Sequence, residues 1–309
     1  MPDFPILTDG DVYAQFDYET VVDAMSDAFA ERAAGTLEAP PRWSVDAGAG
    51  DLVFTAGAAT GPTNAAGFRV YETYPESGAD HTELVAVFNA TTGAFEGLLV
   101  GHAVGGLRTG GIGGVAIDCL AREDSDTLGV LGSGFQARAQ VGAACAVRDF
   151  STVSVYSPTE ASRNAFAETV DEEVEPTVRA VGKPESVVRE ADALVCATDS
   201  EVPVFDPDWL ESGTHVTTIG PRFADAHELP LEVVDRADAV ATDSLPQLDA
   251  ADRPHFVSSQ YDGRLLELAE VLEEPTLGRT AADDVTLFCS VGLAGTEVVL
   301  GSRFLEAFA

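Results

Sequence analysis

The sequence predicts an α/β protein that combines a Rossmann-type, doubly wound parallel sheet with a separate α+β domain. Three observations support this fold class. An apolar strand at 128–131 runs into a glycine-rich turn that opens a helix. Beyond that turn, short strands alternate with helices, as in a parallel sheet. Before residue 100, short strand-like runs follow one another between Gly, Pro and Asn. A chain of 309 residues accommodates two such domains.

The first domain is predicted over residues 1–115. Apolar residues recur at helical spacing from Asp17, which suits an N-cap, to Gly35, which suits a stop. Strands are predicted at 51–58, 66–74 and 83–90, and the last of these enters a hairpin around Thr92-Gly93. A helix rich in Gly and Ala follows at 109–120 and leads into the second domain.

The second domain is predicted over residues 116–295. Its strands are expected to begin at Leu128, Val153, Ala193, His215 and Ala239, with helices at 161–170 and 184–190 between them. The segment 283–308 is predicted as a helix that breaks near Gly292 and Gly295.

The glycine-rich turn reads Gly132-Ser133-Gly134-Phe135-Gln136-Ala137. Gly132 permits a tight turn, Gly134 lets a pyrophosphate approach the backbone, and Ala137 lets the helix pack closely on the strand. The helix N-terminus offers unpaired N–H groups to the phosphates. An ordinary tight turn is the alternative, but the strand before it and the helix after it favour dinucleotide binding.

The end of the next strand bears on which dinucleotide binds. An acidic residue at this place would bind the ribose 2′-OH and favour NAD. The strand ends Val155-Tyr156-Ser157-Pro158-Thr159, without an acid. Ser157, Thr159 and Arg163 suit a 2′-phosphate, so the sequence leans toward NADP within a general NAD(P) prediction.

The charge balance is extreme, with 52 acidic and 17 basic residues and a net charge of −35. The acids are dispersed along a chain that is 45% hydrophobic, which indicates a folded protein with an anionic surface. High salt screens the self-repulsion of such a surface, so we expect a protein from a salt-adapted organism. Nucleic acid and anionic membranes are not expected as partners.

Metal, redox and targeting signals are not found in the sequence. The four cysteines are far apart and form no C-x-x-C motif, and the five histidines lack ligand spacing. The N-terminus does not resemble a signal peptide, and no apolar run reaches the roughly 18 residues of a membrane helix. We expect a cytoplasmic protein with reduced thiols and no bound metal.

The order of motifs resembles the ornithine cyclodeaminase/mu-crystallin family over nearly the whole chain. The motifs are APPRW, GFRVYETYP, VFNATTGAFEG, LRTGG, LGVLGSGFQARAQ, ADALVCAT, IGPRFADAHEL and LGRTAADDVTLFCSVGLAG. The resemblance implies a homodimer, a first domain that supplies the dimer sheet and substrate pocket, and a helix at about 296–309 that returns to that domain. It implies cyclodeaminase, alanine dehydrogenase or cyclic imino acid reductase activity, or a binding role like that of mu-crystallin.

The resemblance also implies a substrate that carries a carboxylate, held by Arg42, Arg69 and Arg108. A guanidinium places two N–H donors on a carboxylate and so orients it. Arg69 stands where the family usually has lysine, a change that keeps carboxylate binding but loses any proton transfer by the lysine. The expected substrate is a small amino or imino acid.

Two further positions concern proton transfer. Arg222 stands where cyclodeaminases carry a catalytic aspartate, which makes strict cyclodeaminase activity doubtful. We expect Arg222 to add positive charge beside the nicotinamide instead, which suits an anionic substrate or the phosphates. Asp225, three residues on, is a candidate to compensate, although one more surface acid is the simpler interpretation. His81 is the candidate proton donor, and a structural histidine is the alternative.

The cofactor site is completed by residues from several motifs. Thr198 ends a strand and is expected to lie over the cofactor. The resemblance places Ser290, Val291 and Gly292 near the nicotinamide. It adds Thr82, Arg108, Thr109, Gly220 and Pro221 to the same site.

The sequence leaves three functions open. The first is hydride transfer at the Cα of a small amino or imino acid, with the arginines holding its carboxylate. The second is true ornithine cyclodeamination, with Asp225 in the place of the missing aspartate. The third is a non-catalytic protein that binds NADP and a small ligand.

Overall fold

The computed structural model, which describes residues 4–74 and 81–308, divides the chain into two units. Unit 1 comprises Met1–Arg108 and Gly292–Ala309, and unit 2 comprises Thr109–Val291. The boundaries expected at 115 and 295 therefore lie a few residues beyond these divisions. The first division falls inside a continuous helix, where nothing in the local sequence marks a linker.

Unit 1 is built on a seven-stranded mixed sheet. Its strands are β1 Ile6–Thr8, β2 Leu37–Glu38, β3 Trp43–Asp46, β4 Asp51–Ala59, β5 Ala65–Glu72, β6 Glu83–Asn89 and β7 Phe95–Gly101. Their order is β1-β7-β6-β5-β4-β2, and β3 also pairs with β4. Only β1 and β7 are parallel. The predicted hairpin joins β6 to β7, with Gly93 at a φ of 71° in its turn.

Among the described residues up to 120, the helices are α1 Asp9–Tyr13, α2 Tyr18–Ala33 and α3 Ala103–Leu120. The carboxylate of Asp17 accepts the N–H of Thr20 at 2.7 Å and caps α2, as its sequence position predicts. Helix α3 begins six residues earlier than predicted. Its first turn is capped by Asp9, which accepts the N–H groups of His102 and Ala103. A cap from so distant a residue leaves no local sequence signal.

Unit 2 holds an eight-stranded sheet in the order β10-β9-β8-β11-β12-β17-β15-β16. All its pairs are parallel. Its strands are β8 Thr127–Leu131, β9 Thr152–Tyr156, β10 Thr177–Ala180, β11 Ala193–Cys196, β12 His215–Thr218, β15 Ala239–Thr242, β16 Leu266–Glu267 and β17 Thr286–Cys289. A short hairpin, β13 Arg222–Phe223 with β14 Ala226–His227, stands outside this sheet.

The helices of unit 2 connect these strands. They are α4 Phe135–Val147, α5 Glu160–Asp171, α6 Pro184–Glu190, α7 Glu232–Arg236, α8 Leu245–Asp249, α9 Phe256–Gln260 and α10 Leu268–Glu273. Leu128 and Val130 of β8 pack in one apolar cluster, and Leu131 packs in another. Side chains alternate in this way when a strand is covered on both faces, as the predicted doubly wound sheet requires.

The last segment corrects one prediction. Residues 283–308 do not form a single broken helix, because Thr286–Cys289 is strand β17, and helix α11 covers only Thr296–Phe308. The four residues of β17 are completely buried between β12 and β15. A strand buried on both faces has no apolar–polar alternation, so its sequence resembles a buried helix.

Helix α11 belongs to unit 1 and packs on β4, β5, β6, β7 and α2. Close packing requires glycine at Gly57, where an added Cβ would lie 2.4 Å from the Cα of Gly295. Across the described ranges, no helix has the length and apolar character needed to cross a membrane.

Candidate active site

A cleft of about 530 Å³ opens in unit 2 where β8, β9, β11 and β12 end. It is lined by Gly132, Ser133, Gly134, Phe135, Gln136, Ser157, Pro158, Thr159, Ser162, Ala197, Thr198, Asp199, Ile219 and Gly220. Chain order along the sheet reverses at β8, and open α/β sheets bind ligands outside the carboxyl ends of strands at such a point. The cleft therefore lies where this fold class binds its cofactor.

The glycine-rich turn has the backbone that a dinucleotide requires. Gly132 has a φ of 117°, and an added Cβ would lie 2.2 Å from the carbonyl oxygen of Ala197. The Cβ position of Gly134 meets no protein atom within 4 Å, so that space is open to a ligand. Helix α4 starts at the next residue and presents its N–H groups there. These residues fit a bound pyrophosphate.

The end of β9 lines the same cleft through Ser157 and Thr159. Ser133 Oγ donates to Ser157 Oγ at 2.9 Å. Arg163 has a different environment from the one expected: its Nη1 donates to the Ser157 carbonyl at 3.1 Å, and Nη2 lies 3.8 Å from Glu160 Oε2. Arg163 thus stabilises the backbone at the end of β9. Ser162, which was not predicted from the sequence, lines the cleft.

The segment Ser290-Val291 is held from two sides within unit 2. Asp243, which is completely buried, accepts from Ser290 Oγ and from Val291 N, each at 2.8 Å. Arg222 Nη1 contacts the carbonyl oxygen of Ser290. Asp243 gives no signal in the sequence, because an acid after a strand is unremarkable in so acidic a chain. Arg222 thus donates to backbone and keeps its positive charge beside Ser290.

Arg69 and Arg108 form a buried ionic cluster in unit 1. Arg69 Nε bonds the carboxylate of Glu83, and Arg69 Nη1 lies 3.4 Å from Glu297 Oε1. The same oxygen lies 3.3 Å from Arg108 Nη2. All four residues are at most 8% exposed. Neither glutamate was predicted from the sequence, although Glu83 stands two residues from His81.

Glu83 ties this cluster to helix α3. Its second oxygen accepts the N–H of Gly105 at 2.6 Å, near the start of the helix that carries Arg108. Gly105 leaves no room for a side chain, since an added Cβ would lie 2.5 Å from Arg69 Nη2. One carboxylate therefore positions Arg69 directly and Arg108 through its helix.

Arg42 and Arg108 approach the same glycine. A Cβ added at Gly292 would lie 3.2 Å from Arg108 Nη1 and 3.5 Å from Arg42 Nη1. Gly292 has a φ of 88°, which favours glycine on backbone grounds as well. Arg108 Nε finds no acceptor within the ranges that the structure describes. The convergence of two guanidinium groups on one point suits a carboxylate ligand.

The protonation of Arg69 follows from its surroundings. Burial alone would lower its pKa, but the carboxylates of Glu83 and Glu297 outweigh burial and raise the pKa above its ordinary value. The guanidinium also lies 4.1 Å from the centre of the Tyr71 ring. Arg69 is a permanent cation and does not exchange protons, as expected from the replacement of lysine.

His81 lies close to this group of residues. Its Nδ1 is 2.8 Å from Glu72 Oε2, and its ring packs edge-on against Tyr71 at 5.8 Å. About a third of the His81 side chain is exposed. A half-buried imidazole bonded to a carboxylate is suited to proton transfer. Thr82, the next residue, is exposed.

Asp225 does not lie in a comparable environment. It is exposed and pairs with Arg253 at 2.5 Å, and this hydrogen bond lowers its pKa. Arg253 in turn lies over the ring of Phe223. This surface ion pair argues against the compensating role suggested for Asp225.

Four expected cofactor residues lie within unit 2. Thr198 and Gly220 line the cleft, and the carbonyl of Thr109 accepts from Gln140 Nε2 at 2.8 Å. Pro221 accepts the N–H of Glu228 through its carbonyl at 3.0 Å. The roles of these residues and of Thr82 in cofactor binding stay predictions.

Cysteine chemistry is not favoured at neutral pH. All four cysteines are free, and burial raises the pKa of Cys119, Cys145 and Cys289 to about 12. Within residues 4–74 and 81–308, no group of three His, Cys, Asp or Glu side chains is arranged to hold a metal ion.

Comparison with known proteins adds independent information. The family model for ornithine cyclodeaminase/mu-crystallin matches residues 5–304. A Delta(1)-pyrroline-2-carboxylate reductase of Bacillus cereus is 32% identical over 216 residues, which are 68% of this chain and 66% of that protein.

Two solved structures are similar along almost the whole chain. Delta(1)-pyrroline-2-carboxylate reductase of Thermococcus litoralis, in complex with NADH and L-proline, has a TM-score of 0.89 at 26% identity, covering 98% of this chain and 96% of that one. An archaeal alanine dehydrogenase dimer with bound NAD has a TM-score of 0.86 at 26% identity, covering 98% and 95%.

These matches confirm the predicted fold class and the predicted enzyme class, an NAD(P)-dependent oxidoreductase that acts at the Cα of a small amino or imino acid. With its glycine-rich cofactor cleft, its convergent arginines and a family match over residues 5–304, the chain belongs to the ornithine cyclodeaminase/mu-crystallin family.

Proposed function

We propose that this protein reduces a small cyclic 2-imino carboxylate to the corresponding cyclic amino acid, with NADPH as the preferred reductant. The observation that carries the proposal is the approach of Arg42 and Arg108 to Gly292, beside the buried Arg69–Glu297 pair. One carboxylate bound by two guanidinium groups is held in a defined orientation. A similar reductase of Thermococcus litoralis binds NADH and L-proline.

The reaction adds a hydride to the imine carbon and a proton to the imine nitrogen. When bound, the reduced nicotinamide supplies the hydride. Arg42 and Arg108 hold the substrate carboxylate and so orient the carbon that is reduced. His81 donates the proton, and Glu72 holds its ring in place. Because part of the ring is exposed, His81 takes up a new proton from solvent. Arg69 contributes fixed positive charge.

The proposed preference for NADPH rests on the end of β9. Ser157, Thr159 and Ser162 line the cleft there, and no carboxylate from β9 or α5 does. A ribose 2′-OH would therefore lack its usual acidic partner, while a 2′-phosphate would meet hydroxyl groups. Arg163 contributes through the backbone it braces.

We also propose a homodimer that forms through one face of the unit 1 sheet. Strand pairing places Trp43, Val45, Leu52, Phe68 and Leu84 on the same face. Each is 37–51% exposed, whereas the opposite face is covered by α11. An exposed apolar patch of this kind marks an interface. The similar archaeal alanine dehydrogenase is a dimer. A Phe68→Asp variant should have the mass of a monomer in light scattering. An unchanged dimer mass would show that the dimer does not form through this face.

We place the protein in the cytoplasm of a salt-adapted organism. The net charge of −35 and the four free cysteines support this assignment. True cyclodeamination is not supported by the hairpin that carries Arg222, because Arg222 contacts the Ser290 carbonyl and Asp225 is paired on the surface.

The test is oxidation of NADPH and NADH in molar KCl with pyrroline-2-carboxylate, piperideine-2-carboxylate or pyruvate plus ammonia. We expect turnover with a cyclic imine, and Arg108→Ala should lower kcat/KM by about a hundred-fold or more. Arg264→Ala, which removes an exposed arginine paired with Glu270, is the control. Binding of NADPH without turnover of any of these substrates would refute the reductase and favour a binding protein.

A further inference from the structure

Glu228 is a carboxylate in unit 2 that is completely buried. Its Oε2 accepts from Thr198 N at 2.8 Å and from Thr198 Oγ at 2.7 Å. Its Oε1 accepts from Gly220 N at 2.7 Å and from Thr218 Oγ at 2.8 Å. In the described part of the chain, no arginine, lysine or histidine forms a salt bridge with it. Four donated hydrogen bonds therefore take the place of a counter-ion.

These bonds join two neighbouring strands at their carboxyl ends, where the cofactor cleft opens. Strands β11 and β12 run side by side, with Cys196 opposite Thr218. Thr198 follows the first and Gly220 follows the second, and both line the cleft. Glu228 lies beneath the pair and bonds the backbone N–H of each. A single side chain thus sets the distance between Thr198 and Gly220, which line the cleft.

The packing around Gly220 allows little adjustment. An added Cβ would lie 2.3 Å from the Thr198 carbonyl oxygen and 2.5 Å from Glu228 Cδ. The backbone of Glu228 is also anchored, since its N–H donates to the Pro221 carbonyl at 3.0 Å and its carbonyl accepts from Val204 N at 2.9 Å. Glu228 therefore closes the loop 221–227, which carries Arg222.

We propose that Glu228 is a positioning residue for the dinucleotide: it holds Thr198 and Gly220 in the arrangement that the cofactor meets. The inference rests on the proposed function only in taking the cleft as the cofactor site. Because the carboxylate touches no open space, it acts through these two residues rather than on the cofactor. Preorganisation of this kind lowers the cost of binding.

The chain offers a control at the amino ends of two strands of the same sheet, β8 and β11. Asp192 accepts the N–H groups of Asp126 and Thr127 at 2.8 and 2.9 Å, just before β11 begins. Like Glu228, it joins two segments through backbone N–H groups, but it also pairs with Arg122 and does not line the cleft. Glu228→Gln and Asp192→Asn each replace one acceptor oxygen by an NH₂ donor.

The experiment compares NADPH affinity by fluorescence titration, and thermal stability, in the full chain at molar KCl. We expect Glu228→Gln to raise the Kd for NADPH roughly ten-fold or more, since it leaves a buried donor without an acceptor. Its KM for dinucleotide should rise while kcat at saturating dinucleotide and KM for the imine stay close to wild type. Asp192→Asn should lower Tm without changing the NADPH Kd.

Each outcome decides between the two proposals. If the wild type binds neither NADPH nor NADH, the proposed function fails. If it binds NADPH and Glu228→Gln binds equally well, or if Asp192→Asn weakens binding to the same degree, the role of Glu228 is refuted. Should Glu228→Gln not fold, Thr218→Val removes one of the four bonds and is expected to raise the Kd about three-fold. An unchanged Kd in that variant would also overturn the inference.

Discussion

Arg108 and Glu297 form a buried ion pair in unit 1, with Nη2 of the arginine 3.3 Å from Oε1 of the glutamate. Glu297 belongs to α11, the helix at the end of the chain, and it shares the same oxygen with Arg69. The C-terminal helix therefore supplies the charge that keeps two guanidinium groups side by side. Without that charge, two buried cations would repel each other.

Glu297→Gln is expected to destabilise unit 1. Loss of one partner leaves the buried arginines with less compensating charge, which costs about 3 kcal/mol or more. Thermal unfolding at fixed KCl concentration measures the effect. Glu306→Gln, on the exposed side of the same helix, removes an equal charge and should change Tm little. Equal shifts in the two variants would mean that the buried pair contributes no more than a surface acid.

Ser157→Asp is expected to reverse the cofactor preference. It places a carboxylate at the end of β9, where it repels a 2′-phosphate and accepts from a ribose 2′-OH. The ratio of kcat/KM for NADPH to that for NADH should fall roughly ten-fold or more. Ser157→Ala removes the bond to Ser133 without adding charge and serves as the control. If the aspartate variant keeps the wild-type ratio, the 2′-phosphate does not bind here.

His81→Asn should lower kcat by about a hundred-fold if His81 supplies the proton, with little change in NADPH affinity. His102→Asn is a matched control, because His102 Nδ1 lies 2.8 Å from Asp9 Oδ2 just as His81 Nδ1 lies 2.8 Å from Glu72 Oε2. Full activity of His81→Asn across the pH range would assign the proton to water instead.

His215 should make the protein less stable toward acid. Burial, with smaller effects from Arg279 and Arg148, lowers its pKa from 6.5 to about 3. Below pH 6.5 the imidazole is therefore protonated in the unfolded chain but stays neutral in the folded chain. The free energy of unfolding consequently falls as the pH falls from 6.5 toward 3. Between pH 7.5 and pH 5 the loss is about 2 kcal/mol.

Denaturant unfolding of wild type and His215→Asn at these two pH values measures this loss. Asn keeps hydrogen-bonding groups near Thr286 and Thr217, which bond the imidazole, but does not titrate. The wild type should lose about 2 kcal/mol more than the variant on acidification. Parallel losses would show that His215 does not contribute to the pH dependence.

Local patterns were sufficient for the fold class and the cofactor cleft. The turn at Gly132, the strands β8, β9, β11 and β12 and the cap at Asp17 are each formed by neighbouring residues, so their signals lie within a few positions of the sequence. The start of α3 and the strand β17 escaped prediction because each depends on distant partners: Asp9 for the first, and β12 and β15 for the second.

The sequence by itself determined the family and indicated two domains, and it singled out three arginines as candidates, because motifs and their order are properties of the chain alone. Only the tertiary structure identified Glu83, Glu297, Asp243 and Glu228 among the 52 acidic residues. An acid acquires a particular role when folding buries it and brings donors from other segments to its oxygens. In a chain of this composition no local pattern distinguishes such an acid from the many that face solvent.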